Sequence, residues 1–411
     1  MARGRRTKAR PADARTRLIQ RLASICLPVW MALCGCQAGP GSHFVDDQAE
    51  GGAADLAGEA GETDFAWRLP LGFGPPPVPE ADPMSADKVE LGRRLFYDPR
   101  LSGNGTQSCA SCHQQARAFT DGRARALGST GELHPRSAMS LANVGYETPL
   151  GWADPALESL EAQARVPLLN QMPIEMGVFG REAEVLGRLS GDPRYAELFE
   201  RAFGASATAP SLDHVARALA AFERTLVSGD SPYDRLLFRD DRSALSASAL
   251  RGMKLFFSSR LRCSECHAGL LFRAPPGASF QNTALYDVDG RGGYPAPNEG
   301  AFRATGRARD MGRFKVPTLR NVAVTAPYMH DGSVPTLDAV LDHYASGGRA
   351  AGNRFKSERI SGFALSPAER ADVVAFLESL TDRTFLSDPR FANPFLEDPA
   401  PTGPDRGAGP E

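Results

Sequence analysis

Apolar positions fall in short helical patches separated by long stretches rich in glycine and proline. Val215-Ala216, Leu219-Ala220 and Phe222 to Leu226 recur at the spacing that gathers side chains on one face of a helix, and Val373-Val374 with Phe376 to Leu380 repeat the pattern later. Each closing helix has an opening partner: Gly92-Arg-Arg-Leu95-Phe96 with Leu101 reappears as Gly252-Met-Lys-Leu255-Phe256 with Leu261. The chain is therefore internally duplicated. Period-two alternation, the mark of a half-buried strand, is almost absent. The pattern predicts a mainly α protein of two related domains, 81–240 and 241–386. Segments 114–150 and 268–335 are too long for simple connections and are expected to wall binding pockets.

One apolar run stands apart. Leu22 to Cys36 follows Arg3, Arg5, Arg6, Lys8, Arg10, Arg15, Arg17 and Arg21, so residues 1–36 read as an export signal. The run ends in Leu33-Cys34-Gly35-Cys36, which resembles a lipoprotein cleavage box with Cys36 as the lipid-bearing residue. The expectation is a periplasmic protein whose only membrane attachment is that anchor at the outer membrane, with an unanchored periplasmic form as the alternative. Residues 37–80 predict a flexible linker, and the proline-rich tail 387–411 an irregular end. Hydrophobic residues make up 42% of the 411 and charged residues 23%, as in an ordinary soluble protein with room for two cores. Without the leader, 39 basic residues face 48 acidic ones, about −9, which argues against a nucleic-acid partner.

Of seven cysteines, Cys26, Cys34 and Cys36 lie in the leader. The other four form Cys109-Ala-Ser-Cys112-His113 and Cys263-Ser-Glu-Cys266-His267, each just after an opening helix. One such run could be a zinc half-site or a redox pair. Two in an exported chain, with no cysteine left over, point to two haem c groups: the thiols add to the vinyl groups and the adjacent histidine becomes the proximal iron ligand. A helix, a Cys-x-x-Cys-His loop and a closing helix make a small cytochrome c fold.

Further runs carry a resemblance. Leu101-Ser-Gly-Asn-Gly-Thr precedes the first haem motif, Pro173-Ile-Glu-Met-Gly follows it, and Val316-Pro-Thr-Leu-Arg-Asn-Val-Ala-Val-Thr-Ala-Pro-Tyr-Met-His-Asp-Gly332 lies in the second half. From about residue 84 to 385 the chain resembles the bacterial di-haem cytochrome c peroxidases and MauG-like enzymes, most closely the MbnH-type branch. The resemblance implies an oxidoreductase whose first haem binds hydrogen peroxide and whose second transfers electrons. It places a tryptophan between the haems at Trp152, then distal residues at Gln163, Pro167 and Glu175. A carboxyl fits the chemistry, because cleaving the O–O bond needs a group that takes a proton from one oxygen and returns it to the other.

The distal ligand of the second haem separates the subclasses: methionine in the peroxidases, tyrosine in MauG-like enzymes, seventeen residues beyond the Thr-Ala-Pro proline. Counting from Pro327 gives Tyr344, with His343, Met311 and Met329 as rivals. A phenolate favours high oxidation states where a thioether favours ferrous iron. The resemblance further implies one Ca²⁺ held by the Asn143 side chain and the carbonyls of Thr325 and Pro327, and a propionate contact for Arg320. His134 lies in a loop where some peroxidases carry a removable sixth ligand. Its spacing differs, so it reads as a loop residue, leaving His113 as the only protein ligand of the first iron. The function implied is a peroxide-driven high-valent (bis-ferryl) store spent on tryptophan side chains of a partner protein, an MbnP-like one. The alternatives are a cytochrome c peroxidase fed by a small redox protein, and a non-enzymatic electron carrier with both haems six-coordinate.

Overall fold

The computed structural model describes residues 65–204 and 210–396; the export segment and its cysteines lie outside them. The helices run α1 (Ala86–Tyr97), α2 (Cys109–Cys112), α3 (Leu160–Leu169), α4 (Glu182–Ser190), α5 (Pro193–Phe203), α6 (Leu212–Arg224), α7 (Pro232–Arg239) and α8 (Ala247–Phe256). After them come β1 (Phe280–Asn282), α9 (Phe302–Thr305), β2 (Arg313–Lys315), α10 (Leu337–Ala345) and α11 (Pro367–Glu378). The strands form one small antiparallel ribbon, Phe280 opposite Lys315. Most of the longer helices start on a Ser, Thr or Asp whose side chain accepts a backbone N–H of the first turn, as Ser85 does for α1 and Ser366 for α11. No helix among the described residues is long and apolar enough to cross a membrane.

The duplication is physical. α1 crosses α6 and α8 crosses α11, each pair meeting at a glycine. A Cβ on Gly92 would stand 1.9 Å from the Ala218 carbonyl oxygen, and one on Gly252 would stand 1.8 Å from that of Asp372. Each crossing is backed by an edge-on phenylalanine cluster, Phe96, Phe119 and Phe222 in the first half and Phe256, Phe272 and Phe376 in the second. Because backbone is the obstacle, Gly252→Ala should lower stability by about 1–3 kcal/mol or more. Gly187→Ala in α4, where a Cβ meets nothing within 4 Å, should leave stability unchanged or raise it. Thermal unfolding of the two variants checks this.

A second repeated device ties each half's central loop to the chain beyond its closing helix. Asn143 and Asn321 both sit in the left-handed region, at φ 63° and 60°, which asparagine tolerates. The Asn143 N–H donates to Leu226 and that of Asn321 to Leu380. The Asn143 side-chain oxygen accepts the Ser228 N–H at 3.0 Å, and that of Asn321 accepts the Asp382 N–H at 2.8 Å. Asp382 in turn accepts from the Ser228 hydroxyl and from the N–H groups of Gly229 and Asp230.

Of two segments expected to be irregular, the described parts, 65–80 and 387–396, are hydrogen-bonded into the fold, and the rest of each lies outside the described residues. Phe385 and Phe391, near and within the proline-rich tail, belong to the first apolar cluster, and the Tyr97 hydroxyl donates to the Phe391 carbonyl at 2.7 Å. In the entry segment, Gly74 accepts from the Tyr146 hydroxyl and Pro77 from Arg224. Proline excludes long α-helices from these stretches, but extended backbone and a short 3-10 turn such as Pro389–Phe391 still donate and accept hydrogen bonds.

Candidate active site

Each Cys-x-x-Cys-His run walls a cavity of its own. His113 Nδ1 lies 2.8 Å from the Phe119 carbonyl and His267 Nδ1 lies 3.2 Å from that of Phe272. A carbonyl can only accept, so each ring carries its proton on Nδ1 and keeps Nε2 as the iron-binding nitrogen. None of the four cysteines of these two runs is joined to another in a disulfide. Apolar side chains complete the walls: Leu127, Leu141, Val144 and Leu150 in the first cavity, Phe256, Leu261, Val316 and Leu341 in the second. Cys263, Cys266 and His267 line the second cavity and Cys112 and His113 the first, with Cys109 on the same short helix as Cys112; thiols, an oriented imidazole and an apolar chamber fit haem c in both places.

α3 and the segment after it contribute to the wall of the first cavity. Gln163 faces the chamber from α3 and Glu175 from the following segment. Pro167 is not in the wall. Its carbonyl accepts the Met176 N–H at 2.9 Å, and Ser129 N–H donates to the Glu175 carbonyl at 2.7 Å, so Pro167 anchors the segment that presents Glu175. The Glu175 side chain is 31% exposed, and part of that exposure is into the cavity it lines. Desolvation pushes its pKa up to about 7, against the opposing pull of Arg136. A carboxyl that holds a proton near neutrality can both take and return one.

Trp152 lines both cavities. Its indole N–H donates to the Ser137 carbonyl at 2.9 Å and its own carbonyl accepts the Lys315 N–H at 2.8 Å, which fixes the ring at the partition. Lys315 also lines both and forms a buried ion pair with Glu147. Sequence reasoning missed this pair; a lysine opening the otherwise apolar Val316-Pro run was the only cue.

In the second cavity, Tyr344 on α10 shares the wall with Cys263, Cys266 and His267. The adjacent His343 cannot compete for iron. Its Nε2 lies 2.9 Å from the Thr283 carbonyl and its Nδ1 accepts the Arg349 N–H, so both ring nitrogens are used. Met311 packs beside the Tyr294–Phe314 cluster, outside the wall, whereas Met329 does line the cavity.

Arg320, expected to meet a propionate, lines the second cavity; it is 1% exposed, forks onto Asp234 at 2.8 and 2.9 Å, and gives its Nε–H to the Leu270 carbonyl. Removing the partner by Asp234→Ala would strand a buried guanidinium and should cost about 3–5 kcal/mol, read by denaturant unfolding. Of the residues expected around Ca²⁺, Asn143 is buried with both ends of its amide hydrogen-bonded to Ser228, and Thr325 and Pro327 line the second cavity. Finally, His134 is in a loop, but not as a bystander: it lines the first cavity, with Nε2 3.8 Å from a Glu175 oxygen.

Two cavities, each with its own Cys-x-x-Cys-His, define a c-type cytochrome with two haem sites. A family model for di-haem cytochrome c peroxidases matches residues 86–242, and one for RoxA-like, cytochrome c-like proteins matches 313–346. The methylamine utilization protein MauG of Methylorubrum extorquens is 39% identical over 80% of this chain and 88% of its own. The cytochrome-c peroxidase IdrP1 of Denitromonas iodatirespirans is 36% identical over 80% and 91%. The crystal structure of a MauG-like protein associated with microbial copper homeostasis superposes with a TM-score of 0.76 at 44% identity, covering 80% of this chain and 99% of that one. The chain belongs to the MauG and di-haem cytochrome c peroxidase family, and it is an oxidoreductase that acts on peroxide.

Proposed function

We propose that this protein consumes hydrogen peroxide at its first haem site and uses the oxidising equivalents on tryptophan side chains of a partner protein, by long-range electron transfer. The partner would be an MbnP-like protein. The observation that carries this reading is Tyr344 in the wall of the second cavity, which Cys263, Cys266 and His267 also line, with both ring nitrogens of His343 engaged elsewhere. The 44% identical MauG-like structure supports the same branch.

Cys109, Cys112 and His113 would hold one haem in the domain 81–240, and Cys263, Cys266 and His267, with Tyr344 as a further ligand, would hold the other in the domain 241–386. When bound, the haems supply the redox chemistry. The chain's own work is to position and to move protons. Glu175 takes a proton from one peroxide oxygen and returns it to the departing one, Gln163 shapes the distal pocket, and Pro167 holds the Glu175 segment in place. Trp152, set between the chambers, carries charge from one to the other, which is why substrate need not enter either cavity.

The test is to add hydrogen peroxide to the fully ferric protein and follow both irons by absorption and Mössbauer spectroscopy. Oxidation of both irons above the ferric state without prior reduction is expected. A protein that stays silent until one haem is reduced would instead be a detoxifying peroxidase fed by a small redox protein, the reading that its peroxidase relatives favour.

A further inference from the structure

His134 rides on a loop that folds back over Glu175. The His134 N–H donates to the Ala126 carbonyl at 2.7 Å, Gly128 N–H donates to Glu132 at 2.8 Å, and Ser129 N–H donates to the carbonyl of Glu175 itself. The histidine loop and the glutamate segment are thus one hydrogen-bonded unit. Within it the ring has a defined proton. Nδ1 lies 3.1 Å from the Arg136 N–H and 3.3 Å from the Arg136 carbonyl. The shorter contact is to a group that can only donate, so Nδ1 accepts and the proton sits on Nε2. That Nε2 faces Glu175 Oε1 at 3.8 Å, too long for a hydrogen bond as it stands but within the range that distal contacts close when a site is loaded.

We propose that His134 is a positioning residue for Glu175: its Nε2–H donates to the carboxylate, aims it into the first cavity and sets the pH at which it accepts a proton. This rests on Glu175 being the distal base. The surroundings agree. Burial and Arg136 push the His134 pKa down to about 4, so the ring stays a neutral donor through the range in which Glu175 titrates. The other charged groups facing the pair are committed or farther out. Arg136 donates to Asn298 and lies over Phe314, the Glu132 carboxylate accepts the Ile174 N–H, and Arg303 lines the chamber. A neutral donor that stabilises the charged carboxyl opposes the desolvation that raises its pKa.

Cyanide tests this without turnover, because it arrives as HCN and must leave its proton on the distal base. Its association with the ferric first haem, followed by the Soret shift against pH, should break near the Glu175 pKa in the wild type. His134→Leu should move the break up by about one pH unit and slow binding at pH 6 by about tenfold. His134→Gln keeps an N–H donor and should restore the wild-type profile to within about twofold. Equal haem content by pyridine haemochrome spectra shows that the variants are loaded. A His134→Leu profile that overlays the wild type, or a His134→Gln profile that matches His134→Leu, overturns the proposal. So does a change of the first haem from low to high spin in His134→Leu, which would make His134 an iron ligand. Glu175→Gln separates the two layers: if it keeps the break, the reading of Glu175 itself fails.

Discussion

Tyr344→Met should abolish oxidation of the second iron by peroxide while both haems stay covalently attached. The Cys263, Cys266 and His267 set that would hold the haem is untouched by the change, so loading should match the wild type. What changes is the distal donor. A phenolate supplies negative charge to an electron-poor iron, whereas a thioether stabilises the ferrous state and raises the potential. The variant should behave like a peroxidase that must be half-reduced before it reacts. Tyr344→Phe, which supplies no ligand, should lose the response equally. Met329→Leu is the matched control, because Met329 is the other candidate donor in the same wall, and it should leave the response intact. Mössbauer spectra of the four proteins decide the assignment, and an unchanged peroxide response in Tyr344→Met and Tyr344→Phe would sink it.

Glu175→Gln should slow the reaction with peroxide by about 10²- to 10⁴-fold, the usual contribution of a positioned acid–base group. The substitution keeps the size of the side chain and removes only its capacity to carry the proton. In the wild type the carboxyl must be charged to accept a proton from peroxide. Since desolvation holds its pKa near 7, the rate should rise as pH climbs through that value and level off above it. The Gln variant should be slow and flat across the same range. Stopped-flow mixing of peroxide with each ferric protein gives both numbers. A variant that reacts at wild-type rates would assign Glu175 to the wall and not to the chemistry.

The helices, the duplication and the haem attachment points were legible in the sequence because each depends on residues close together along the chain. Helical periodicity located the two crossings, and the pairing of Gly92 with Gly252 forecast that they would be alike, although only the packing shows why glycine is needed there. The family motifs pointed to Gln163, Glu175 and Trp152, and all three line the first cavity. What lies against three other residues depends on distant parts of the chain. Arg320 has an arginine's reach, but Asp234, 86 positions away, occupies it. Asn143 has a calcium ligand's oxygen, and it accepts the Ser228 N–H. Pro167 sits one turn from Gln163 but outside the cavity wall, and its carbonyl accepts the Met176 N–H.

By itself, then, the sequence determined that the chain is mainly helical, twice repeated and equipped to bind two haems, since periodicity and Cys-x-x-Cys-His spacing are local properties. Only the tertiary structure decided which polar groups remain free for chemistry. A buried donor or acceptor must find a partner, and the partners come from distant parts of the chain. Asp234 and Ser228 pair with Arg320 and Asn143, the Thr283 carbonyl and Arg349 N–H occupy His343, and the loop over Glu175 makes His134 its neighbour.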